Sequence, residues 1–453
     1  MRKKFIFKLS TTQTILLSFL LAILVGSVLL VLPISAARGV TVSYIDALFT
    51  ATTSICVTGL VTVPTVSTWS VFGQVVILIL IQIGGLGVIT IMSGLMISLH
   101  RKIGLGDRML IQDAFNLNTM SGLVKFIKKV LLGTFVVEGL GALFYMTVFV
   151  PEYGVRGIWI SVFNSVSAFC NAGIDIIAED SLCRYVFHPM INVVTCLLII
   201  LGGIGYIVWW DVMRVLKNIK HQKWNCLRGL TLHSKIAITT TLILILAGGV
   251  AFLVFEFHNP LTMKEYSLWE KIQASFFQSV TTRTAGFATI PQQNLTNASS
   301  IVALLLMFIG GSPVGTAGGI KTVTIAVLLV SAFNTIRNKE EAVLFHRTIS
   351  KQTVAKSVAV VSMSFLIAFT STVLLAAVTD AGAMDVLFET VSATATVGLS
   401  RNLTGMLNFW GKIIIIVTMY LGRVGPISLV IAFAKKRENK NIIKEPTEEI
   451  SVG

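Results

Sequence analysis

The chain has 453 residues, 54% of them hydrophobic and 13% charged, with a mean hydropathy of +0.84. A soluble globular domain is about a quarter charged, so there are too few charges here to cover a water-facing surface, and disorder, a collagen-like repeat and a disulfide scaffold are excluded as well. The net charge of +15 would suit a nucleic-acid binder of ordinary polarity, but not a chain this apolar; long apolar runs without strand-like alternation point to an all-α polytopic membrane protein.

In chain order, a basic stretch, MRKKFIFK, precedes an apolar run from Ile15 to Leu32 in which only Ser18, Gly26 and Ser27 are not apolar. Its 18 residues exceed the roughly 7–15 of a secretory h-region, so a spanning helix is expected rather than a cleaved signal ending at Ser35-Ala36-Ala37. Next comes FTATTSICVTG, from Phe49 to Gly59, and this pattern returns as FNSVSAFCNAG (Phe163–Gly173), FFQSVTTRTAG (Phe276–Gly286) and FETVSATATVG (Phe388–Gly398). The four glycines stand 114, 113 and 112 residues apart. Each segment follows a membrane-length run (Ile15–Leu32, Val130–Val150, Ile236–Phe257, Val354–Val378). Each precedes a second run carrying a glycine cluster: Gly84-Gly85-Leu86-Gly87, Gly202-Gly203-Ile204-Gly205, Gly310-Gly311 and Gly422-Arg423-Val424-Gly425.

The unit is therefore helix, short segment, helix. It predicts eight transmembrane helices and four re-entrant segments around a central pore: a cytoplasmic N-terminus at 1–14, repeats at 15–108, 109–228, 229–345 and 346–436, and a cytoplasmic tail at 437–453. Of 36 basic residues, 26 fall on one side of this topology, among them Arg2, Lys3, Lys4 and Lys8, Arg101 and Lys102, and Lys435, Lys436, Arg437, Lys440 and Lys444. The positive-inside rule makes that side cytoplasmic, with both termini on it and the short segments entering from outside.

Non-helical backbone at membrane depth is tolerated where it is buried in protein or lines water. A lone glycine of this kind marks an ordinary turn; four in register predict an ion filter. The front of each segment forms a short helix whose partly negative C-terminal end favours a cation. The stretch into the glycine is extended, its carbonyls replacing the ion's water shell, and glycine reaches positive φ without steric cost. The predicted filter comprises Val57, Thr58, Gly59, Asn171, Ala172, Gly173, Thr284, Ala285, Gly286, Thr396, Val397 and Gly398, with Asn171 and the threonine hydroxyls either bonding locally or touching the ion.

These four segments, the glycine clusters and TTRTAGF resemble the potassium-transporting membrane subunits of bacterial Ktr systems, in the Trk/Ktr/HKT superfamily, along about Ile15 to Lys436. The resemblance implies four non-identical units around one K⁺ pore, with one filter glycine from each. It also implies a homodimer on a ring of cytosolic nucleotide-binding (RCK/KTN-type) regulatory subunits, and Na⁺ as activating ion. Some members carry Ser at the first filter position and favour Na⁺, so Gly59 argues for K⁺. With no span read before Ile15, the Ktr branch is a nearer likeness than the Trk branch.

The third second-helix reads MFIGGSPVGTAGGIKTVT from Met307. Gly and Pro cost a helix interior about 1 and 3 kcal/mol, so this helix must be interrupted, and unwound backbone at that depth lines a cavity. A gate is expected at 310–321, with Gly310, Gly311, Gly315, Thr316, Gly318, Gly319 and Lys321; the alternative is a small-residue packing kink. Arg423, in mid-span, is expected to face the pore below the filter, the role the resemblance implies, rather than to snorkel. Glu138 also lies in a span and needs a buried polar partner.

No enzyme is expected. The five cysteines (Cys56, Cys170, Cys183, Cys196, Cys226) include no CxxC pair and the six histidines no HExxH. No dinucleotide fingerprint or phosphate-binding loop occurs, so nucleotide control would come from another chain, docked on the basic loops and tail. Arg214, Lys217, Lys220 and Lys223 read as a solvated juxtamembrane helix rather than a voltage sensor. The competing function is a carrier-like secondary cation transporter of Trk type, coupled to Na⁺ or H⁺, because glycine-broken helices also build midplane binding sites.

Overall fold

A computed structural model describes residues 10–99, 122–217, 227–339 and 341–425, with 104, 108, 109 and 112 besides. The basic residues before Ser10, Arg101, Lys102, Lys220, Lys223, Cys226 and everything from 426 on, including the tail at 437–453, lie outside the described residues.

Most helices start where a short polar side chain can take up an orphan N–H. Helix α1 (Thr11–Val31) begins at Ser10, which forms a reciprocal capping box with Gln13. Short helix α2 (Tyr44–Cys56) begins at Ser43, and α3 (Val71–Leu86) at Ser70. There α3 turns by 97° into α4 (Val88–Ser98). The second unit has α5 (Leu123–Tyr153), short helix α6 (Val155–Cys170), α7 (Pro189–Gly203) and, after a 99° bend, α8 (Tyr206–Leu216). The third has α9 (Leu232–Glu256), capped by Thr231, α10 (Leu268–Thr281), capped by Ser267, α11 (Asn297–Phe308) and α12 (Thr322–Ile336). The fourth has α13 (Lys351–Ala376), α14 (Ala383–Ala395) and α15 (Phe409–Val424).

Four of these, α1, α5, α9 and α13, are long and apolar enough to cross a membrane, and six spans result if each bent pair counts as one. Their outer faces stay exposed and apolar: on α1, Leu17, Leu21, Val25 and Val28 point outward while Phe19, Ile23 and Leu30 are buried. Such a helix is amphipathic towards lipid, not water. The short helices are the reverse, polar yet enclosed. From Phe49 to Cys56 every residue of α2 is buried, and hydroxyls such as Thr52 and Ser54 donate to carbonyls four residues back at 2.7 and 2.6 Å.

The units interlock in a cycle. Each second helix packs on the short helix of the next unit: α3 on α6, α7 on α10, α11 on α14, and α15 back on α2. The glycine clusters make this approach possible. A Cβ on Gly85 would lie 2.5 Å from Cys170 Sγ, and one on Gly84 2.8 Å from Val57 Cγ2.

Interruption is not confined to the third unit, where the composition called for it. Gly87, Gly205 and Gly425 all take φ near +90° (84°, 93° and 88°) and end α3, α7 with Ile204, and α15 at corresponding places. Between α12 and α13 lies an antiparallel hairpin that the apolar-run reading does not contain, β1 (Ala342–Leu344) with β2 (Arg347–Ile349), turned by Phe345 and His346 at φ 50° and 60°.

Candidate ion-conducting site

Three of the short helices finish alike. Val57, Asn171 and Thr396 adopt the left-handed conformation (φ 54°, 59° and 52°). The N–H of the following residue reaches back to a carbonyl five residues earlier, Thr58 to Thr53, Ala172 to Ser167 and Val397 to Ser392, each at 2.8 Å. That is a Schellman-type closure, but with residues other than glycine at the left-handed position, where a β-branched side chain is a steric outlier; the packing around them imposes it. In the third unit Thr282 continues the turn, Ala285 N–H donates to Thr281 at 3.0 Å, and Thr284 takes the left-handed position at φ 65°.

Two residues on from each of these comes the glycine, again at positive φ: 96°, 65°, 84° and 96° for Gly59, Gly173, Gly286 and Gly398. Thr58, Ala172, Ala285 and Val397 between them are not left-handed. Alternating the sign of φ turns successive carbonyls to one side, whereas an extended strand alternates them.

The four glycines meet in a closed ring. A Cβ on Gly59 would lie 2.5 Å from Ala172 O, one on Gly173 2.5 Å from Ala285 O, and one on Gly286 2.6 Å from Val397 O; one on Gly398 would strike Thr58 O. Each glycine thus lies against the carbonyl preceding the next unit's glycine, and the fourth returns to the first. The ring is held from behind. Gly59 N–H donates to Thr53 Oγ1 and Gly398 N–H to Ser392 Oγ, both at 3.0 Å. Ser167 Oγ donates to Ile174 O at 2.5 Å, and Thr281 Oγ1 to Phe287 O at 2.6 Å. Thr58 Oγ1, both amide atoms of Asn171 and Thr396 Oγ1 are buried without a protein partner among the described residues. Thr284 Oγ1 is taken: Gly318 N–H donates to it at 3.2 Å.

Beneath the ring, residues 309–321 cross from α11 to α12 without helix. Their ends are tied together: Gly310 N–H donates to Ile320 O at 2.9 Å, and Thr322 N–H to Gly311 O at 3.0 Å. Gly318 abuts the fourth segment, where a Cβ would lie 2.8 Å from Ala395 O, and Gly319 needs its φ of 63°. Lys321 Nζ donates to Ala317 O at 2.6 Å, folding onto the loop's own backbone. Arg423 does not reach for the interface: Nη1 donates to Thr316 O at 2.7 Å and Nη2 to Gly84 O at 2.5 Å. One guanidinium therefore joins the fourth unit, the loop of the third and the first unit's glycine cluster.

Glu138 finds its partners in Gln82, whose Nε2 donates to Oε2 at 3.2 Å, and in Cys170 Sγ at 3.8 Å. Glu389 accepts from Ser400 Oγ at 2.7 Å and from Thr404 Oγ1. Asp46 ties the first unit to the fourth through Lys412 at 2.6 Å, and within the fourth unit Asp385 pairs with Arg401 at 2.7 Å, whose Nη1 donates to Ser300 Oγ of the third unit at 2.7 Å. Arg214, in the basic stretch, pairs with Asp211 at 2.6 Å. Arg283, present in TTRTAGF but given no role in the sequence reading, is buried, with Nη2 donating to Gly310 O at 3.3 Å and Thr241 Oγ1 at 3.4 Å. Its charge in an otherwise uncharged filter motif was the available signal.

Residues 7–445 match the family described as TrkH, cation transport protein. The chain belongs to that family. It is 40% identical to the Ktr system potassium uptake protein B of Bacillus subtilis, over 97% of this chain and 96% of that one. It is 37% identical to the potassium/sodium uptake protein NtpJ of Enterococcus hirae, over 100% and 99% of the two chains. In fold it is similar to the crystal structure of the potassium transporter TrkH from Vibrio parahaemolyticus, with a TM-score of 0.74 at 16% identity, covering 96% of this chain and 87% of that one. The chain is thus a helical, multi-pass membrane protein of an ion-transport family, not an enzyme.

Proposed function

We propose that this chain is the potassium-translocating membrane subunit of a Ktr-type uptake system in a bacterial plasma membrane, conducting K⁺ through one filter built from four re-entrant segments. The closed ring of Gly59, Gly173, Gly286 and Gly398 carries this reading, because it gathers one equivalent backbone turn from each unit around a single centre. A dehydrated K⁺ is held there by carbonyls, without a formal negative charge. The unpartnered Thr58, Asn171 and Thr396 groups supply further oxygens, or water contacts, next to the ring.

The four repeats supply eight crossings, with both termini cytoplasmic. The loop 310–321 is the gate. It lies under the ring, unwound and glycine-rich, and Arg423 pins Thr316 to Gly84 across the cavity, so that a fixed positive charge and a peptide strand together oppose cation passage. The chain works as a homodimer on a ring of cytosolic nucleotide-binding regulatory subunits, with Na⁺ as activating ion. The relatives' names, a Ktr system potassium uptake protein and a potassium/sodium uptake protein, support K⁺ uptake within a Ktr system.

The test is K⁺ uptake in an uptake-deficient host, comparing wild type with Gly59→Ser and Gly286→Ser. Reduced K⁺-over-Na⁺ preference is expected in both; unaltered preference in both overturns the filter. A carrier would instead saturate at low turnover with strict coupling to a second ion and show no single-channel conductance.

A further inference from the structure

The bends at Gly87 and Gly205 have the same backbone (φ 84°, ψ 136° and φ 93°, ψ 138°) but different contents. At Gly87 an added Cβ would find, among the described residues, only Thr90 Oγ1, at 3.8 Å. At Gly205 it would collide with Pro313 O, because the notch of the second unit is filled by the loop of the third. Ser312 N–H donates to Gly203 O at 2.8 Å, Thr316 N–H to Gly202 O at 3.1 Å, and Tyr206 N–H to Val314 O at 3.0 Å. Thr316 Oγ1 adds a bond to Phe169 O, the last turn of α6, at 3.0 Å.

These partners are not arbitrary. Gly202 and Gly203 present carbonyls at the C-terminal end of α7, and Tyr206 the first N–H of α8; both kinds of group are left without intrahelical partners by a break. Buried, they must be satisfied by something else. The loop satisfies them, and its alternate residues 312, 314 and 316 are spaced to do so. Its neck, by contrast, is fastened to its own unit by the Gly310–Ile320 and Thr322–Gly311 bonds. The loop is a flap hinged on the third unit and latched on the second.

We propose that the notch at Gly202–Tyr206 is the seat of loop 309–321, a docking site inside the chain that holds the flap across the ion path, with Gly205 and Tyr206 as its positioning residues. Opening exchanges the three backbone bonds and the Thr316 hydroxyl bond for bonds to water in the inner cavity. This rests on the loop being the gate, and the experiment separates the two ideas.

K⁺ uptake is measured in an uptake-deficient host for the full chain with its regulatory partner, as wild type, Gly205→Ala and Gly87→Ala, normalised to protein in the membrane. Both substitutions carry the same backbone strain, but only Gly205→Ala pushes against the loop. Uptake by Gly205→Ala is expected to rise about tenfold, the equivalent of about 1.4 kcal/mol, while Gly87→Ala stays within about twofold of wild type (about 0.4 kcal/mol). Thr316→Val, which keeps the side-chain size, is expected to raise uptake about threefold and decides the matter if Gly205→Ala fails to reach the membrane. A second readout is labelling of Val314→Cys, in a Cys226→Ser background, by an impermeant thiol reagent applied to inverted vesicles: faster with Gly205→Ala, unchanged with Gly87→Ala. Equal uptake and labelling for the two alanine variants, or an unchanged Thr316→Val where Gly205→Ala is absent, overturns the seat. If that happens while deletion of 311–318 still raises uptake, the gate stands without it; if the deletion leaves uptake unchanged, gate and seat fall together.

Discussion

The ring of four glycines and the layer of helix breaks beneath it come from the same four units, yet one is uniform and the other is not. In the ring all four positions repeat a left-handed residue, one residue, then a glycine at positive φ, and each contacts its neighbour in the same way. One layer down, Gly87 bends with only Thr90 beside it among the described residues, Gly205 bends around the loop, the third unit unwinds from Ile309 to Lys321, and the fourth places Arg423 just before the end of α15. In the filter proposed above, a spherical ion on an axis is served best by equivalent oxygens, so such a ring gains from sameness. A closure needs one part that moves and another that receives it, which four equal units cannot supply.

Several substitutions break or sharpen this contrast. The largest effect is expected from Gly173→Ala, whose methyl would sit 2.5 Å from Ala285 O and 2.7 Å from Gly286 Cα at a φ of 65°. Left-handed strain of about 1–2 kcal/mol plus that overlap predicts an uptake loss of at least about a hundredfold, seen in K⁺ flux at equal membrane abundance. Deleting 311–318 acts on the other layer and in the other direction: flux is expected to rise about tenfold, and unchanged or lost flux at normal expression contradicts a gate. Arg423→Gln removes the charge and weakens the Thr316 and Gly84 bonds but leaves the seat on the second unit, so a smaller rise, about threefold, is expected in the same assay. The least effect belongs to Glu138, outside both layers. Glu138→Gln keeps a partner for Gln82 and leaves the melting temperature in detergent within about 2 °C. Glu138→Leu strands that amide at a cost of about 1–3 kcal/mol and lowers the melting temperature by several degrees.

The ring was legible in the sequence because each of its members needs glycine at a fixed distance after a Phe, and a fourfold spacing survives in one dimension. Arg423 was legible for the opposite reason, as a charge where hydrocarbon composition forbids one. The bends at Gly87 and Gly205 were less so: two or three glycines in an apolar run are also what close helix packing requires, and Gly84 and Gly85 do serve packing. The contact between loop and notch left no trace, since it is made mostly by backbone groups more than a hundred residues apart, and backbone groups are the same in every residue. Arg283 stood in plain view inside TTRTAGF, but its partners, Gly310 O and Thr241, lie on other elements. The hairpin was missed because Phe345-His346 is not a pair that turn chemistry favours at two consecutive positive φ values.

The cyclic packing has a consequence for how the chain is made. Helix α2 leaves the ribosome among the first elements, but one of its flanks is covered only by α15, the last helix described, and the Asp46–Lys412 pair joins positions 366 residues apart. Until α15 has been made, the first short helix waits in the bilayer with that side unfilled. A chain stopped after the third unit has three quarters of the wall and no enclosure, so truncation is expected to yield a target for membrane proteolysis rather than a weaker transporter.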